Sequence, residues 1–428
     1  MQTLWNFLTF ADPNIKYIVL GTVLLSVGSA VVGCFSFLRK RALVGDAVAH
    51  AVLPGVCLAF ILSGSKNPLS LLIGAFVTGW LSLVAIDLIS KYSKLKEDAA
   101  IGIVLSTFFG VGILLLTSIQ QSGEASQSGL DKFLFGKAAS LVGQDLWLFL
   151  GVVVVLLLSV LLFFKEFTLL SFDKQYAASL GFPVKMLELL LTTLTVLAVV
   201  VGIQSVGVVL MAAMLITPAA AARYWTEKIV MMLCIAALFG AVSGVVGAYI
   251  SYAAPAMPTG PWIVMVVSML AIFSFLAAPR RGIISSYILQ RQNKLQIIEE
   301  NILKALFHLG EAEKDFFKKR TFEEIIIKRD IEPKQLLTGL KRLRKHKYVE
   351  FEHNAWRLTP VGQERGKRVT KLHRLWEVYL TKYLNIAPDH VHDDAETMEH
   401  IITPEIEKWL EEQLEYPKTD PHGEHIPY

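Results

Sequence analysis

The sequence predicts an all-α polytopic membrane domain of about nine transmembrane helices, followed by a polar region that folds as a winged helix-turn-helix and a second helical domain. Three observations support this fold class. The 428-residue chain is 54% hydrophobic with a mean hydropathy of +0.50, which is too apolar for a soluble protein of this size. Apolar blocks of about 20 residues recur as far as Ala278, whereas charged residues become frequent from Pro279 onward. All histidines except His50 lie beyond residue 300.

Nine blocks are long enough to cross a bilayer, because a hydrocarbon core of roughly 30 Å needs about 20 helical residues at roughly 1.5 Å each. The break between the sixth and seventh blocks, at GIQSVG, is the weakest boundary in the pattern. The expected spans are 17–38, 43–63, 68–90, 99–119, 143–164, 184–203, 205–222, 229–252 and 261–278.

The basic residues predict the orientation of these spans. Lys and Arg cluster at 39–41, 91–96, 165–185, 223–228 and 280–281, between alternate pairs of spans and after the last span. By the positive-inside rule these segments are cytoplasmic. An odd number of spans then places the N-terminus outside and the polar tail in the cytoplasm.

Two ionisable residues interrupt the second span, in the stretch GDAVAHAVLPG. Asp46 and His50 lie four residues apart, so they share one helix face. An ionisable side chain in a span costs about 2.5 to 3.5 kcal/mol on insertion scales and usually marks a pathway or a partner. A carboxylate with an imidazole suits a divalent ion such as Mn, Fe or Zn. The alternative is that Asp46 caps the helix and His50 bonds a neighbouring carbonyl.

The first part of the tail has the pattern of a winged helix-turn-helix. Apolar residues recur at helical spacing from Leu295 to Leu309 and again in TFEEIIIKRD, and Pro333 opens a third helix. We expect Leu336, Leu337, Leu340 and Leu343 to form the buried stripe of that helix. The strand-like YVEF and WRLT, joined by EHNA, follow as a hairpin.

The third helix carries the candidate DNA contacts, because a basic helix in this position offers phosphate contacts and entry to the major groove. A basic run alone is more often a solvated helix face, and only the adjacent hairpin favours DNA. The candidate residues are Lys334, Gln335, Lys341, Arg342, Arg344 and Lys345.

The end of the tail concentrates histidines and carboxylates at helical spacing. His373 and Glu377 lie one turn apart, and four further ligand-type residues follow at spacings of 4, 3 and 1: His392, Glu396, Glu399 and His400. Two such stripes facing each other would form a site for one or two divalent ions without thiolate ligands. The alternative is a solvated helix with scattered histidines.

The membrane half resembles the zinc/manganese/iron-type ABC importer permeases. The resemblance rests on GDAVAHAVLPGVCLAF, EDAAIGIVLSTFFGVGILLL, FLFG at 133–136, FDKQYAASLGFP and VGVVLMAAMLITPAAAAR, in family order over residues 15–280. It implies that Asp46 and His50 are metal ligands of the translocation path. It also implies a bacterial cytoplasmic (inner) membrane location, a second permease copy or a related permease, and an extracytoplasmic metal-binding protein.

The resemblance implies a separate cytoplasmic ABC ATPase as well. The sequence contains no GxxxxGK[ST] phosphate loop, so we expect this chain to bind no nucleotide and to be no enzyme. The coupling helix that docks on the ATPase would lie at Phe172, Asp173, Ala177 and Gly181. An ordinary interfacial loop is the alternative for this segment.

The tail resembles the diphtheria-toxin-repressor family of metal-dependent regulators from about residue 293 to the end. The evidence is LTPVGQERGKRVTKLHRL, HDDAETMEH and DPHGEHIP. Residue by residue, the resemblance implies a metal-binding role for His373, Glu377, His392, Glu396, Glu399 and His400. Glu396 stands where iron-type members have Cys, which points to the manganese-type variant; Mn or Fe is the favoured ion.

The tail departs from that family on its first helix. The positions that carry ligands in the family are Asn301 and Lys304 here, and neither is a carboxylate, although Glu300 is a substitute if the register shifts by one. Metal affinity at one of two sites is therefore in question.

These observations predict a permease subunit of an ABC importer for divalent transition metals (Mn, Fe or Zn), fused to a metal-sensing domain that controls transport or represses transcription. The alternative is a membrane-tethered metal-dependent transcriptional regulator whose spans no longer transport. An intramembrane HExxH protease is disfavoured, because His50 is the single histidine of the membrane half. The expected domains are 1–281 (membrane permease), 282–298 (linker), 299–360 (winged helix) and 361–428 (metal-binding and dimerisation helices).

Overall fold

A computed structural model describes most of the chain in two compact units, Met1–Ser286 and Tyr287–Tyr428. The described residues are 5–7, 9–10, 13–65, 67–121, 141, 143–254, 257–279, 281–329, 331–387, 391, 395, 398–400 and 402–428. The FLFG stretch at 133–136 and the predicted ligands His392 and Glu396 lie outside them.

The regular secondary structure of the first unit is entirely helical within its described residues. Among the residues that the structure describes, eight helices are long and apolar enough to cross a membrane. The helices are α1 (Pro13–Leu38), α2 (Val44–Ser63), α3 (Pro68–Tyr92), α4 (Glu97–Gln121), α5 (Gly143–Leu162), α6 (Phe164–Phe172), α7 (Lys174–Ser179), α8 (Val184–Val206), α9 (Val208–Arg223), α10 (Ile229–Ala253) and α11 (Thr259–Ala277).

The predicted seventh span corresponds to α9, which has 16 residues and is shorter than its neighbours. It is separated from α8 by Gly207, whose φ of 91° is a backbone conformation that side-chain-bearing residues avoid. The break therefore falls within the predicted GIQSVG stretch. At about 1.5 Å per residue, α9 is about 24 Å long, somewhat less than the hydrocarbon core.

Burial divides the spans into an inner and an outer group. In α1 and α2, 72% of the spanning window is buried within the unit, compared with 22% in α5 and α11. Inner helices approach closely where glycines meet: a Cβ on Gly55 of α2 would lie 2.1 Å from the carbonyl oxygen of Gly74 on α3. This contact allows α2 to sit deep in the unit, as small residues do in membrane helix packing.

The second unit contains the predicted winged helix-turn-helix. Its elements are α12 (Ile283–Glu313), α13 (Phe322–Lys328), α14 (Pro333–Lys345), β1 (Val349–Glu352), β2 (Ala355–Leu358), α15 (Pro360–Leu384) and α16 (Pro404–Gln413). The strands are antiparallel, and the two loop residues His353 and Asn354 both have positive φ, as tight hairpins require.

Two details differ from the sequence expectations. The segment 282–298, expected as a linker, is helical from Ile283 and forms the first half of α12. Leu337, expected in the buried stripe of α14, is 43% exposed, whereas Leu336, Leu340 and Leu343 are buried. The reason is geometric, since a stripe at i, i+4 and i+7 fills the face that packs on α12, and Leu337 projects beside it.

Candidate metal centres

The acid–imidazole pair of the membrane unit lies in the first two turns of α2. His50 Nε2 is 3.5 Å from Asp46 Oδ1, and the two side chains are 26% and 43% exposed. The N-cap of α2 is Leu43, without a side-chain capping bond, so Asp46 is a first-turn residue and not the cap. The structure therefore brings the two side chains together on one helix face.

The surroundings of His50 leave one of its nitrogens open. The imidazole packs edge-on against Phe109 of α4, with ring centroids 5.0 Å apart. His50 Nδ1 is buried and has no hydrogen-bond partner among the described residues. Pro54 lies one turn further along α2 and removes a backbone hydrogen bond there. An inner helix thus carries an acid and an imidazole with spare ligand capacity.

The predicted coupling segment forms a compact turn of two short helices. Asp173 caps α7 by accepting a hydrogen bond from the Tyr176 backbone N–H at 2.8 Å. Ala177 is buried, and Gly181 has a φ of 84° that glycine tolerates best. Three of the four predicted residues, Asp173, Ala177 and Gly181, therefore shape the segment, whereas Phe172 is exposed. Tyr176 and Leu180 are also exposed, and the sequence did not single them out.

In the tail, three separate stretches supply one buried cluster. Glu300 and Lys304 lie one turn apart on α12, His373 and Glu377 one turn apart on α15, and Glu399 and His400 are adjacent in the chain. The expected stripe of His373 and Glu377 therefore meets Glu399, which lies with His400 in a turn; His392 and Glu396, the other members of the second expected stripe, are outside the described residues. Among the described residues, however, no group of three or more His, Cys, Asp or Glu side chains has the arrangement of a metal site.

The two oxygens of Glu399 have different partners. Oε2 accepts from Lys304 Nζ at 2.7 Å and lies 2.5 Å from His373 Nδ1, while Oε1 lies 3.5 Å from His400 Nε2. Burial alone would raise the pKa of Glu399, but the His373 hydrogen bond and the Lys304 charge outweigh it and lower the pKa. Burial lowers the pKa of Lys304 to about 8, against the attraction of Glu399. The pair is therefore an ion pair at neutral pH.

The ring of His400 is oriented by a carboxylate. His400 Nδ1 donates to Glu300 Oε2 at 2.6 Å, so the lone pair of the neutral ring lies on Nε2. Nε2 and Glu399 Oε1 are buried and without hydrogen-bond partners among the described residues. Glu300 in turn accepts from Arg365 at 2.5 Å. Two unpaired acceptors facing each other fit a cation, and the carboxylate behind the imidazole is the usual support of a metal-ligating histidine.

The basic face of α14 is mostly free. Lys334, Lys341, Arg344 and Lys345 are exposed among the predicted DNA contacts. Arg342 is half-buried and ion-paired with Glu299, and Gln335 donates to Glu332 at 2.9 Å. Four of the six predicted contacts are therefore available on the surface, and the other two are engaged within the protein.

These features define a polytopic membrane transport protein with an added winged-helix regulatory unit. The chain belongs to the ABC 3 transport family, whose model matches residues 11–278. Residues 359–428 match the iron dependent repressor, metal binding and dimerisation domain. Because the first match takes in every expected span, it supports a permease over a set of spans that only tether a regulator.

Individual relatives agree with the first of these assignments. The chain is 46% identical over 387 residues to the manganese transport system membrane protein MntC of Bacillus subtilis, covering 90% of this chain and 88% of the relative. It is 44% identical over 291 residues to the zinc transport system membrane protein TroC of Treponema pallidum, covering 68% and 97%. The solved structure of PsaBC from Streptococcus pneumoniae in complex with Fab has 33% identity and a TM-score of 0.59, covering 68% of this chain and 99% of that chain.

Proposed function

We propose that this chain is the membrane permease subunit of an ABC importer for divalent transition-metal ions, and that Asp46 and His50 contact the ion as it passes. The observation that carries the proposal is the 3.5 Å acid–imidazole pair on an inner helix of the membrane unit. The two relatives named above are membrane proteins of manganese and zinc transport systems, which supports the same class of cargo.

The chemistry of the pair suits transient binding. One carboxylate oxygen and one imidazole nitrogen offer two ligands of intermediate hardness, which accept Mn, Fe or Zn without strong discrimination. Two ligands hold an ion less firmly than a closed four-ligand site, so the ion can leave again. Aromatic contact with Phe109 fixes the imidazole plane, which reduces the entropy lost when an ion binds.

ATP hydrolysis would come from a separate cytoplasmic ATPase. The exposed side chains Phe172, Tyr176 and Leu180 form an apolar surface on the segment between α5 and α8. Their exposure supports a docking role, since large aromatic and aliphatic side chains anchor protein interfaces. A binding protein that delivers the ion outside, and a second permease copy or related permease, complete the proposed importer. In this arrangement the N-terminus is outside and the tail is cytoplasmic.

The tail would bind a divalent ion between Glu399 Oε1 and His400 Nε2. Both atoms are buried and unpaired within the described part of the chain, and Glu300 orients the imidazole. The predicted ligands His392 and Glu396 would complete the shell. An ion there supplies positive charge that holds these segments together, which makes the folding of the tail respond to metal.

The tail would use that response to control import, either by restraining the permease or by repressing transcription. The second role is favoured by the exposed Lys341, Arg344 and Lys345 on α14 beside a hairpin wing. The first role needs only that the metal-loaded and metal-free tails differ in their effect on the membrane unit.

The central proposal is tested by the variant Asp46→Asn. We expect uptake of radioactive manganese by cells that express the whole importer to fall about tenfold or more, as for the loss of groups that hold a metal. Zinc and iron uptake, measured separately, would show which cargo depends on the pair.

The matched control is Asp98→Asn. Asp98 also lies in the first turn of an apolar helix, α4, and is exposed. We expect this variant to transport at the wild-type rate. Wild-type uptake by a correctly inserted Asp46→Asn permease would overturn the proposed pathway.

A further inference from the structure

We propose that the ammonium group of Lys304 is a built-in replacement for a divalent ion on Oε2 of Glu399, so that the tail takes up one ion where its cluster of ligand-type residues has room for two. This inference rests on the proposed metal site at Glu399 Oε1 and His400 Nε2. It concerns the opposite edge of the same carboxylate.

The placement of Lys304 is unusual for a lysine. Its side chain is 2% exposed, and Nζ lies 2.7 Å from Glu399 Oε2, an oxygen of a side chain that is 0% exposed. Lysine is almost never fully buried unless it is paired, because the cost of desolvating the charge is large. A carboxylate buried at this point therefore needs a cation, and the chain itself supplies one.

The imidazole of His373 also lies against Oε2. His373 Nδ1 lies 2.5 Å from Glu399 Oε2, and His373 Nε2 lies 3.1 Å from Glu377 Oε1. Both ring nitrogens therefore lie close to carboxylate oxygens, and the cation in contact with Oε2 is the ammonium group of Lys304. Because a buried ammonium already lies 2.7 Å from Oε2, the surroundings of this oxygen do not fit a divalent ion, in contrast to those of Oε1.

The sequence position strengthens the contrast. Lys304 lies on the first helix of the tail, four residues after Glu300, and both face the same cluster. The helix supplies a carboxylate to support the imidazole at one edge of the cluster and an ammonium to neutralise the other. The same face of α12 therefore supports the proposed ion site at Oε1 through Glu300 and neutralises Oε2 through Lys304.

Reversing the charge of Lys304 tests the replacement directly. We expect the detergent-purified full-length chain with Lys304→Glu to bind one more Mn²⁺ ion per chain than the wild type, measured by equilibrium dialysis against MnCl₂ and elemental analysis. The new carboxylate and Glu399 Oε2 would then provide ligands where the ammonium was. The control is Lys294→Glu, an exposed position earlier on α12, which should bind the wild-type number of ions.

A folded Lys304→Glu chain with the wild-type number of ions would overturn the inference. The proposed tail site is tested separately by His400→Ala, which keeps Lys304. This variant should bind one ion fewer than the wild type. If it binds the wild-type number, the proposed tail site is wrong, whatever the result for Lys304→Glu.

A second variant covers poor folding of the charge reversal. We expect Lys304→Gln without added metal to show about tenfold or faster hydrogen exchange in α15 around His373 than the wild type, because Glu399 loses its cation. Wild-type protection of α15 in this variant would show that the ammonium does not replace an ion, and would also overturn the inference.

Discussion

At the scale of single residues, charge pairing in the tail depends on which groups share a buried environment. Lys304, Arg365 and Arg374 each meet carboxylates inside the second unit, at Glu399, Glu300 and Glu311 respectively. His308 lies near two of these cations, Lys304 and Arg374, and its Nε2 is buried without a hydrogen-bond partner among the described residues. A neutral imidazole is therefore part of the folded state.

We expect His308 to make the stability of the tail sensitive to mild acid. Burial and the neighbouring charges of Lys304 and Arg374 lower the pKa of His308 from 6.5 to about 3. Protons then bind the unfolded chain in preference to the folded one below pH 6.5, so stability falls as pH falls, by up to about 1.4 kcal/mol per pH unit. We expect His308→Phe to flatten this decline between pH 6.5 and 5.

The measurement is pulse proteolysis of the full chain in urea, with the tail detected through a C-terminal epitope. His346→Phe replaces an exposed histidine and serves as the control, with an expected wild-type pH dependence. An equally steep loss of stability in His308→Phe and wild type would show that His308 does not titrate on unfolding.

At the scale of elements, the short helices α6 and α7 are linked to the spans by one shared carboxylate. Glu188 Oε1 on α8 lies 2.8 Å from Lys174 Nζ at the start of α7 and 3.1 Å from an Arg39 nitrogen after α1. A movement of α7 would therefore be transmitted to α8 and to the end of α1. Partly exposed pairs of this kind contribute little stability, so positioning is the better explanation for the arrangement.

The exposed side of the same segment is where we expect the ATPase to bind. Replacement of Tyr176, an exposed aromatic anchor, should weaken that contact by about 2 kcal/mol, or roughly thirtyfold in affinity. The variant is Tyr176→Ser, and the measurement is the amount of the cognate ATPase that copurifies with the solubilised permease.

Tyr92→Ser is the matched control, because Tyr92 is an exposed tyrosine at the end of α3. It should leave copurification unchanged. If Tyr176→Ser retains the ATPase as well as Tyr92→Ser does, the segment between α5 and α8 is not the docking site.

At the scale of the whole molecule, one chain joins a membrane unit, Met1–Ser286, to a second compact unit, Tyr287–Tyr428. Each unit has its own apolar core and its own candidate metal centre. Import and metal sensing would thus be present in fixed one-to-one ratio, and a permease dimer would hold two tails at high effective concentration.

Ending the chain after Ser286 should remove feedback on import. We expect cells preloaded with manganese to slow uptake severalfold with the full chain, and to keep importing with the shortened one. A second variant, with Lys341, Arg344 and Lys345 changed to Glu, separates the two modes of control. It should behave like the shortened chain if the tail acts through DNA, and like the wild type if the tail restrains the permease.

Equal uptake by preloaded cells carrying the full and the shortened chain would show that the tail controls neither process. Transcript levels of the importer genes, measured in the same cultures, distinguish a change in synthesis from a change in transport rate.

The sequence by itself determined the membrane spans, the winged helix and the family. These features depend on residues that are close together in the chain: the length of an apolar block predicts a span, and the spacing of leucines predicts the buried face of α14. Even the weak break before α9 could be located, because the backbone at Gly207 requires glycine. The pairing of His373 with Glu377 also follows from helical spacing alone.

Only the tertiary structure decided which distant residues contact the side chains on each helix face. Lys304 and Glu399 are 95 residues apart, and no periodicity indicates that a lysine on α12 meets that carboxylate. In the same way, Arg342 belongs to a basic run, yet it pairs with Glu299, 43 residues earlier. The physical reason is that spacing fixes the direction of a side chain from its own helix, whereas its partner depends on how distant segments pack.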